Sequence, residues 1–342
     1  MTRGAPLESS DDGVYVTRGT GFDAIHRVAV AVVDRHGRLT QRAGDPETVV
    51  FARSAIKPFQ ALALIRSGAF ERLGLDSEEL AIASASHSGS DAHVSVVQRL
   101  LARSGATAAD LRCGAHWPSG MRLRGEYPKS GEDRDPLRHN CSGKHAGFLA
   151  VAHVLGDPFG SYLDPASRVQ QLVRACVADA CELDPRTLLM ATDGCSAPNY
   201  AMPLSSLARA AMELALTGTS AEGRALGLGP IRAAMQANPL LVSGEGRFDA
   251  ELMQAFPQNV VVKGGAEGVI LLGFVEPALG IAIKVLDGAE RALAPITVAV
   301  LRALGLLERG DVRLAERARP TLKNAKGLVT GEIVAKLRLE IE

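Results

Sequence analysis

The chain has 342 residues, 46% hydrophobic and 22% charged, the balance of a globular protein with room for one large core or two. Lysine plus arginine and aspartate plus glutamate both number 38, so the charge favours neither nucleic acid nor an anionic membrane as a partner. The richest apolar stretch, GVILLGFV, stops at Glu276-Pro277, too short to span a bilayer. The start, MTRGAPLESSDDG, lacks the apolar run of a secretory signal, and five cysteines suit reduced thiols, metal ligands or core fillers better than a disulfide framework. A cytoplasmic location is the expectation.

Residues 1–12 are polar and read as a flexible N-terminus. From Val14 the text turns strand-like: RVAVAVVD, RHGRLTQRAG and ETVVFA predict a meander with a turn at Arg35-His36-Gly37. Helical periodicity follows in PFQALALIRSGAF and HVSVVQRLLARSG, each closed by glycine. Residues 114–137 carry Gly, Pro and charge without period, which predicts a long surface loop. Helices are expected at 142–156, 166–182, 203–217 and 229–236. NVVVKGG, GVILLGFV and LGIAIKVLD then read as three strands, GAERALAPITVAVLRALGLL as a helix, and GLVTGEIV as a last short strand. Strands at both ends with helices between predict an α+β fold in which the two chain ends build one sheet. On this reading 13–342 is a single catalytic domain, with a sheet lobe from 13–52 and 258–342, a helical lobe from 53–257, and a cleft between them.

The stretch RSAIKPFQ places Ser54 three residues before Lys57. Pro58 lacks an amide hydrogen and is tolerated only near a helix start, so Ser54 lies at or just before the first turn with Lys57 one turn on. Two readings stand: a chance pair on a solvated surface, or a lysine that takes the serine's proton. The second requires a neutral lysine, which burial or a second cation can supply. VVVKGGAEGV puts Lys263 at the end of an apolar run before Gly264-Gly265, as the Lys-x-Gly strand of Ser-x-x-Lys acylases does; the alternative is a surface lysine before a hairpin turn. In ASASHSGSDAHVSVV, Ser84, Ser86 and Ser88 either cap the following helix or supply hydroxyls to a pocket, while His87 and His93 are expected to pack or cap. HNCSGKHAGF and TDGCSAPNY offer Cys141, Lys144, His145, Asp193 and Cys195 on tight turns. The thiols are either soft-metal ligands or buried fillers, and spacing alone does not yield zinc.

Together RSAIKPFQALAL, CGAHWP, HNCSGKHAGFL, TDGCSAPNYAMPLSSLARA, VKGGAEGV and GIAIKVLDGAERA, in this order over nearly the whole chain, resemble the rhizobial-type (class 3) L-asparaginases, the asparaginase II family. The resemblance implies a serine amidohydrolase with a fold similar to serine β-lactamases and glutaminases, working as a homodimer on L-asparagine. It places the family's two Ser-Lys pairs on Ser54 with Lys57 and on Ser86 with Lys263. It places a zinc site, modulating substrate binding, on Cys141, Lys144 and Cys195. Arg53, His145, Asp193 and Gly265 are the substrate-binding candidates. The chain departs from the family's usual text at Asp23-Ala24 and at Ser90-Asp91. Rival readings are a glutaminase or other Ser-Lys acyl hydrolase, and a non-catalytic amino-acid or metal-binding homologue.

Overall fold

The structure, a computed structural model, describes residues 12–123, 125–126, 134–216, 226–308 and 310–342. The expected loose segment 1–12 lies, but for Asp12, outside the described residues, as does part of the loop expected at 114–137. The described part of that loop contains a short helix, Ser119–Leu123.

Among the described residues thirteen strands run in chain order: β1 (Gly13–Arg18), β2 (Gly21–His26), β3 (Val28–Val33), β4 (Leu39–Ala43), β5 (Val49–Phe51), β6 (Leu189–Thr192), β7 (Pro198–Pro203), β8 (Val260–Gly265), β9 (Val269–Phe274), β10 (Leu279–Val285), β11 (Thr321–Lys323), β12 (Val329–Lys336) and β13 (Glu340–Ile341). They form an antiparallel six-stranded sheet of order β13-β4-β3-β10-β9-β8, a four-stranded sheet β11-β12-β1-β2, and a three-stranded sheet β5-β7-β6. The fold is α+β. As expected, both chain ends build one sheet, β3 and β4 joining β8, β9, β10 and β13 in the six-stranded one; they also share the four-stranded sheet, because the β1–β2 hairpin pairs with β12 and not with β3. Thr17 ties that pairing, its hydroxyl accepting from the Glu332 amide at 3.0 Å across 315 residues of sequence.

VAVAVV in β3 is buried at every position, as a strand covered on both faces must be. Helix Leu204–Leu216 lies on the six-stranded sheet. It approaches closely because Gly273 and Gly280 stand beneath it, where a Cβ would strike the carbonyl oxygens of Ala211 and Ala208. The helical part centres on Ser142–Leu155, whose first eleven residues are all buried against helices Lys57–Arg66, Ser77–Ala83 and Asp91–Ser104. An apolar text all round a helix signals such burial.

The expected helices at 142–156, 166–182, 203–217 and 229–236 form within about two residues of those limits. The text 288–307 forms a shorter helix, Leu293–Ala303, entered by a 3-10 turn at Glu290–Ala292. Strands β6 and β7 fall where no strand was expected. They flank the TDGCS turn, and β7 also pairs with β5, at least 150 residues earlier in sequence, so no local pattern announces them.

Candidate active site

The serine turn grows out of β5. The Ala52 amide donates to Tyr200 O at 3.1 Å, holding the strand end against β7. Arg53 then turns the chain with φ of 51°, a left-handed conformation that a non-glycine residue keeps only when its surroundings impose it. The imposition is visible: the Arg53 amide donates to Asn199 Oδ1 at 3.1 Å and its Nε to Asp193 Oδ1 at 2.8 Å. A 3-10 turn, Arg53–Ile56, carries Ser54, and Lys57 opens the helix with Pro58 in its first turn, as Pro58 dictated. Gly265 on β8 lies against this turn. A Cβ there would meet Ala52 O at 2.9 Å, Ala55 N at 3.1 Å and Ser54 N at 3.2 Å, so only glycine lets the strand come this close.

Lys57 is 1% exposed. Its Nζ donates to Ala85 O at 2.6 Å and Asn140 O at 3.2 Å, and lies 3.1 Å from Ser86 Oγ. Ser54 is not among its partners. Of the two serines, it is Ser86 that Lys57 touches. Two of the three partners are carbonyls, which only accept.

Lys263, on β8, is 2% exposed. Its Nζ donates to its neighbour Gly264 O at 2.7 Å and lies 3.5 Å from Asp249 Oδ2, which also accepts the Gly264 amide at 2.9 Å. Burial pushes the Lys263 ammonium down to about 8; the Asp249 carboxylate resists, while the charges of Lys57 and Arg247 push the same way as burial. Lys263 makes no hydrogen bond to Ser86. Ser54, Ser86, Asn140, Arg247, Asp249 and Gly265 line one cavity of about 700 Å³. The structure thus brings both serines to one space with the two buried amines behind it.

The thiols meet a few residues away. Cys141 caps helix Ser142–Leu155, Lys144 lies on its first turn, and Cys195 sits in the tight turn between β6 and β7, where the Asp193 amide donates to Ala197 O at 2.9 Å. Lys144 Nζ lies 3.0 Å from Cys195 Sγ. The interaction between the two cysteines pulls Cys141 well below the ordinary thiol range and pushes Cys195 above it. Burial lowers the Lys144 amine, but the two sulfurs outweigh it and the group is raised. Among the described residues no three His, Cys, Asp or Glu side chains converge as a metal cluster. Two sulfurs and an amine remain as a donor set, and they fit a soft divalent cation, all three being buried.

His145 does not reach either cavity, contrary to expectation. It is 0% exposed, its Nδ1 lies 2.7 Å from the Tyr162 hydroxyl, and burial pushes it down to about 4, partly offset by the Cys195 sulfur. Arg53 and Asp193 line a neighbouring cavity of about 570 Å³ with Asn199, Glu267 and Lys284, not the one that holds the serines. Burial raises the Asp193 carboxyl, but Lys144, the Gly194 amide and Arg53 together hold it below its usual range. Asp193 Oδ2 lies 4.0 Å from Cys195 Sγ, so this carboxylate links the thiol centre to the residue before Ser54.

Ser84 and Ser88 do not cap the helix Asp91–Ser104; Ser90 does, in a capping box with His93. His87 stacks on His93 at 4.9 Å, and both pack as expected. Asn140, Asn199, Arg247 and Asp249 escaped the sequence reading. Asn140 and Asn199 stand inside motifs that were quoted, next to residues that were chosen; Arg247 and Asp249, in GEGRFDA, had no motif to mark them.

No curated protein matches the chain. Solved structures do, at low identity. A chain from Bacteroides dorei solved as a candidate β-lactamase is 11% identical, with a TM-score of 0.47 over 80% of this chain and 93% of that one. A β-lactamase from Mycobacterium bovis is 15% identical, with a TM-score of 0.34 over 82% and 95%. Mglu in its native form is 17% identical, with a TM-score of 0.37 over 83% of this chain and 62% of that one. The family model described as L-asparaginase II matches residues 14–335, and the chain therefore belongs to that family and is an amidohydrolase.

Proposed function

We propose that the protein is an L-asparaginase that hydrolyses L-asparagine to L-aspartate and ammonia through an acyl-enzyme. The observation that carries this reading is the convergence of Ser54 and Ser86 on one cavity with buried Lys57 in contact with Ser86. Ser54 Oγ attacks the side-chain amide carbonyl. Lys57 takes the proton, directly or across the Ser86 hydroxyl it already touches. Lys263, protonated, donates to the departing nitrogen, and ammonia leaves an aspartyl ester on Ser54. Water then gives a proton to the Lys263 amine freed in the first step and attacks the ester, while Lys57 returns its proton to Ser54 Oγ, so that aspartate leaves and both lysines are restored. Backbone amides at Ser54 and by Gly265 serve the oxyanion.

A second reading, in which Ser86 carries the acyl group, is favoured by the 3.1 Å Lys57–Ser86 contact. Trapping with a slow acylating amide and mapping the mass increment separates the two. An increment on the Ser54 peptide supports the first and one on the Ser86 peptide the second. No covalent adduct, with no ammonia released from asparagine, sinks both; faster release from glutamine than from asparagine overturns the substrate.

Zinc on Cys141, Lys144 and Cys195 belongs to the same proposal. When bound, a divalent cation supplies positive charge that favours the thiolates and the neutral Lys144 amine. The residues' own part is positional: Asp193, beside Cys195, fixes Arg53 and with it the turn that presents Ser54. The free thiols suit a cytoplasmic protein, and the family likeness suits a homodimer.

A further inference from the structure

Among the described residues, Lys57, Lys263, Arg317 and Arg247 stand in or around the serine cavity and Arg53 in the next one, and all but Arg247 are committed. Lys57 and Lys263 bond to carbonyls, as described. Arg317 grips Glu251 with two hydrogen bonds, 2.7 and 2.6 Å, and donates to Gly246 O at 3.0 Å. Arg53, in the next cavity, is held by Asp193. Arg247 lines the serine cavity, is half-buried, and its guanidinium makes no hydrogen bond or ion pair with any described residue. Its backbone is fixed: the Arg247 amide donates to Gly244 O at 3.2 Å, and the residue caps helix Phe248–Ala255, which carries Asp249 against Lys263. A planar, permanently charged fork on a helix-capping residue, bonded to no described acceptor, matches a carboxylate. An amide-hydrolysing site has no need of such a group for the amide itself.

We propose that Arg247 anchors the α-carboxylate of the substrate in the serine cavity and so makes the enzyme select free amino-acid amides over amides without a carboxylate. The assignment rests on the asparaginase reading above and moves this role from Arg53 to Arg247. The anchored carboxylate offsets a positive charge that otherwise acts on Lys263, so substrate binding also favours the protonated Lys263 that the leaving nitrogen requires.

The test compares wild type with Arg247→Gln on L-asparagine and on L-asparaginol, whose hydroxymethyl group replaces the carboxylate, by ammonia release. Arg247→Gln is expected to lose roughly 10- to 100-fold in kcat/KM on asparagine, chiefly through KM, as for a charge-assisted hydrogen bond. On asparaginol wild type and variant should agree within about 3-fold, which also shows that the variant is folded. Arg247→Lys should recover part of the asparagine loss. An equal loss on both substrates, or no loss on asparagine, overturns the proposal. If wild type releases no ammonia from either, the hydrolytic reading falls on its own. Calorimetric binding of L-aspartate and L-asparaginol then decides Arg247: weaker aspartate binding in the variant alone supports it, unchanged aspartate binding overturns it.

Discussion

Lys57 Nζ lies 3.1 Å from Ser86 Oγ, 29 residues away in sequence, while Ser54, one turn before Lys57, is not among its hydrogen-bond partners. The lysine thus belongs to both serines, to one by sequence and to the other by contact. Lys57→Ala and Lys57→Arg are both expected to lower kcat by about 10²–10⁴, because neither side chain accepts a proton at working pH. Stopped assays of ammonia release, with circular dichroism as the fold control, check this. Activity retained in Lys57→Arg would mean the residue supplies only charge.

Lys263 sets an upper pH limit. Burial brings it down to about 8, and as the proposed acid it must be protonated, so kcat/KM should fall as pH rises through about 8. The Asp249 carboxylate acts to raise Lys263, so Asp249→Asn should move this falling limb to lower pH. A limb that stays in place, or moves up, removes Lys263 from the proton path.

Gly265→Ala should harm activity and fold together. The new methyl has backbone atoms on its far side, Ala52 O at 2.9 Å and Ser54 N at 3.2 Å, which cannot swing away as a side chain could. A loss of about 1–3 kcal/mol in stability, typical of overpacking, is expected along with a drop in kcat. Thermal unfolding and steady-state kinetics measure both; an unchanged melting temperature would show that β8 has slack.

The thiol–amine centre makes a prediction that needs no substrate. Zinc added to metal-free protein should raise its melting temperature, with about 2.7 kcal/mol of stabilisation at a hundredfold excess over Kd. Cys141→Ser and Cys195→Ser should abolish the gain, whereas Cys176→Ser, a buried thiol elsewhere in the core, should keep it. A gain that survives both of the first two substitutions places the metal elsewhere.

The sequence made much of this legible. Pro58 alone located the helix start, and the apolar run before Lys263 marked β8, which continues through Gly265, because both are local steric and patterning effects. What it hid is non-local. Lys57 reaches past Ser54 to Ser86 through the path of a flexible side chain, which spacing does not encode. Arg247 and Asp249 meet Lys263 only because helix Phe248–Ala255 packs on β8. His145 looked like a pocket residue for its place beside Lys144, yet consecutive residues of a helix point in directions about 100° apart, and this one faces Tyr162.

The pairing of β1 with β12 has a consequence for synthesis of the protein. β1 leaves the ribosome some 315 residues ahead of its partner, so the nascent chain carries β1, and the hairpin it forms with β2, as an open edge until β12 follows. At tens of seconds for such a length, that interval is long enough for a chaperone to engage the exposed edge, and for another nascent chain to do so first.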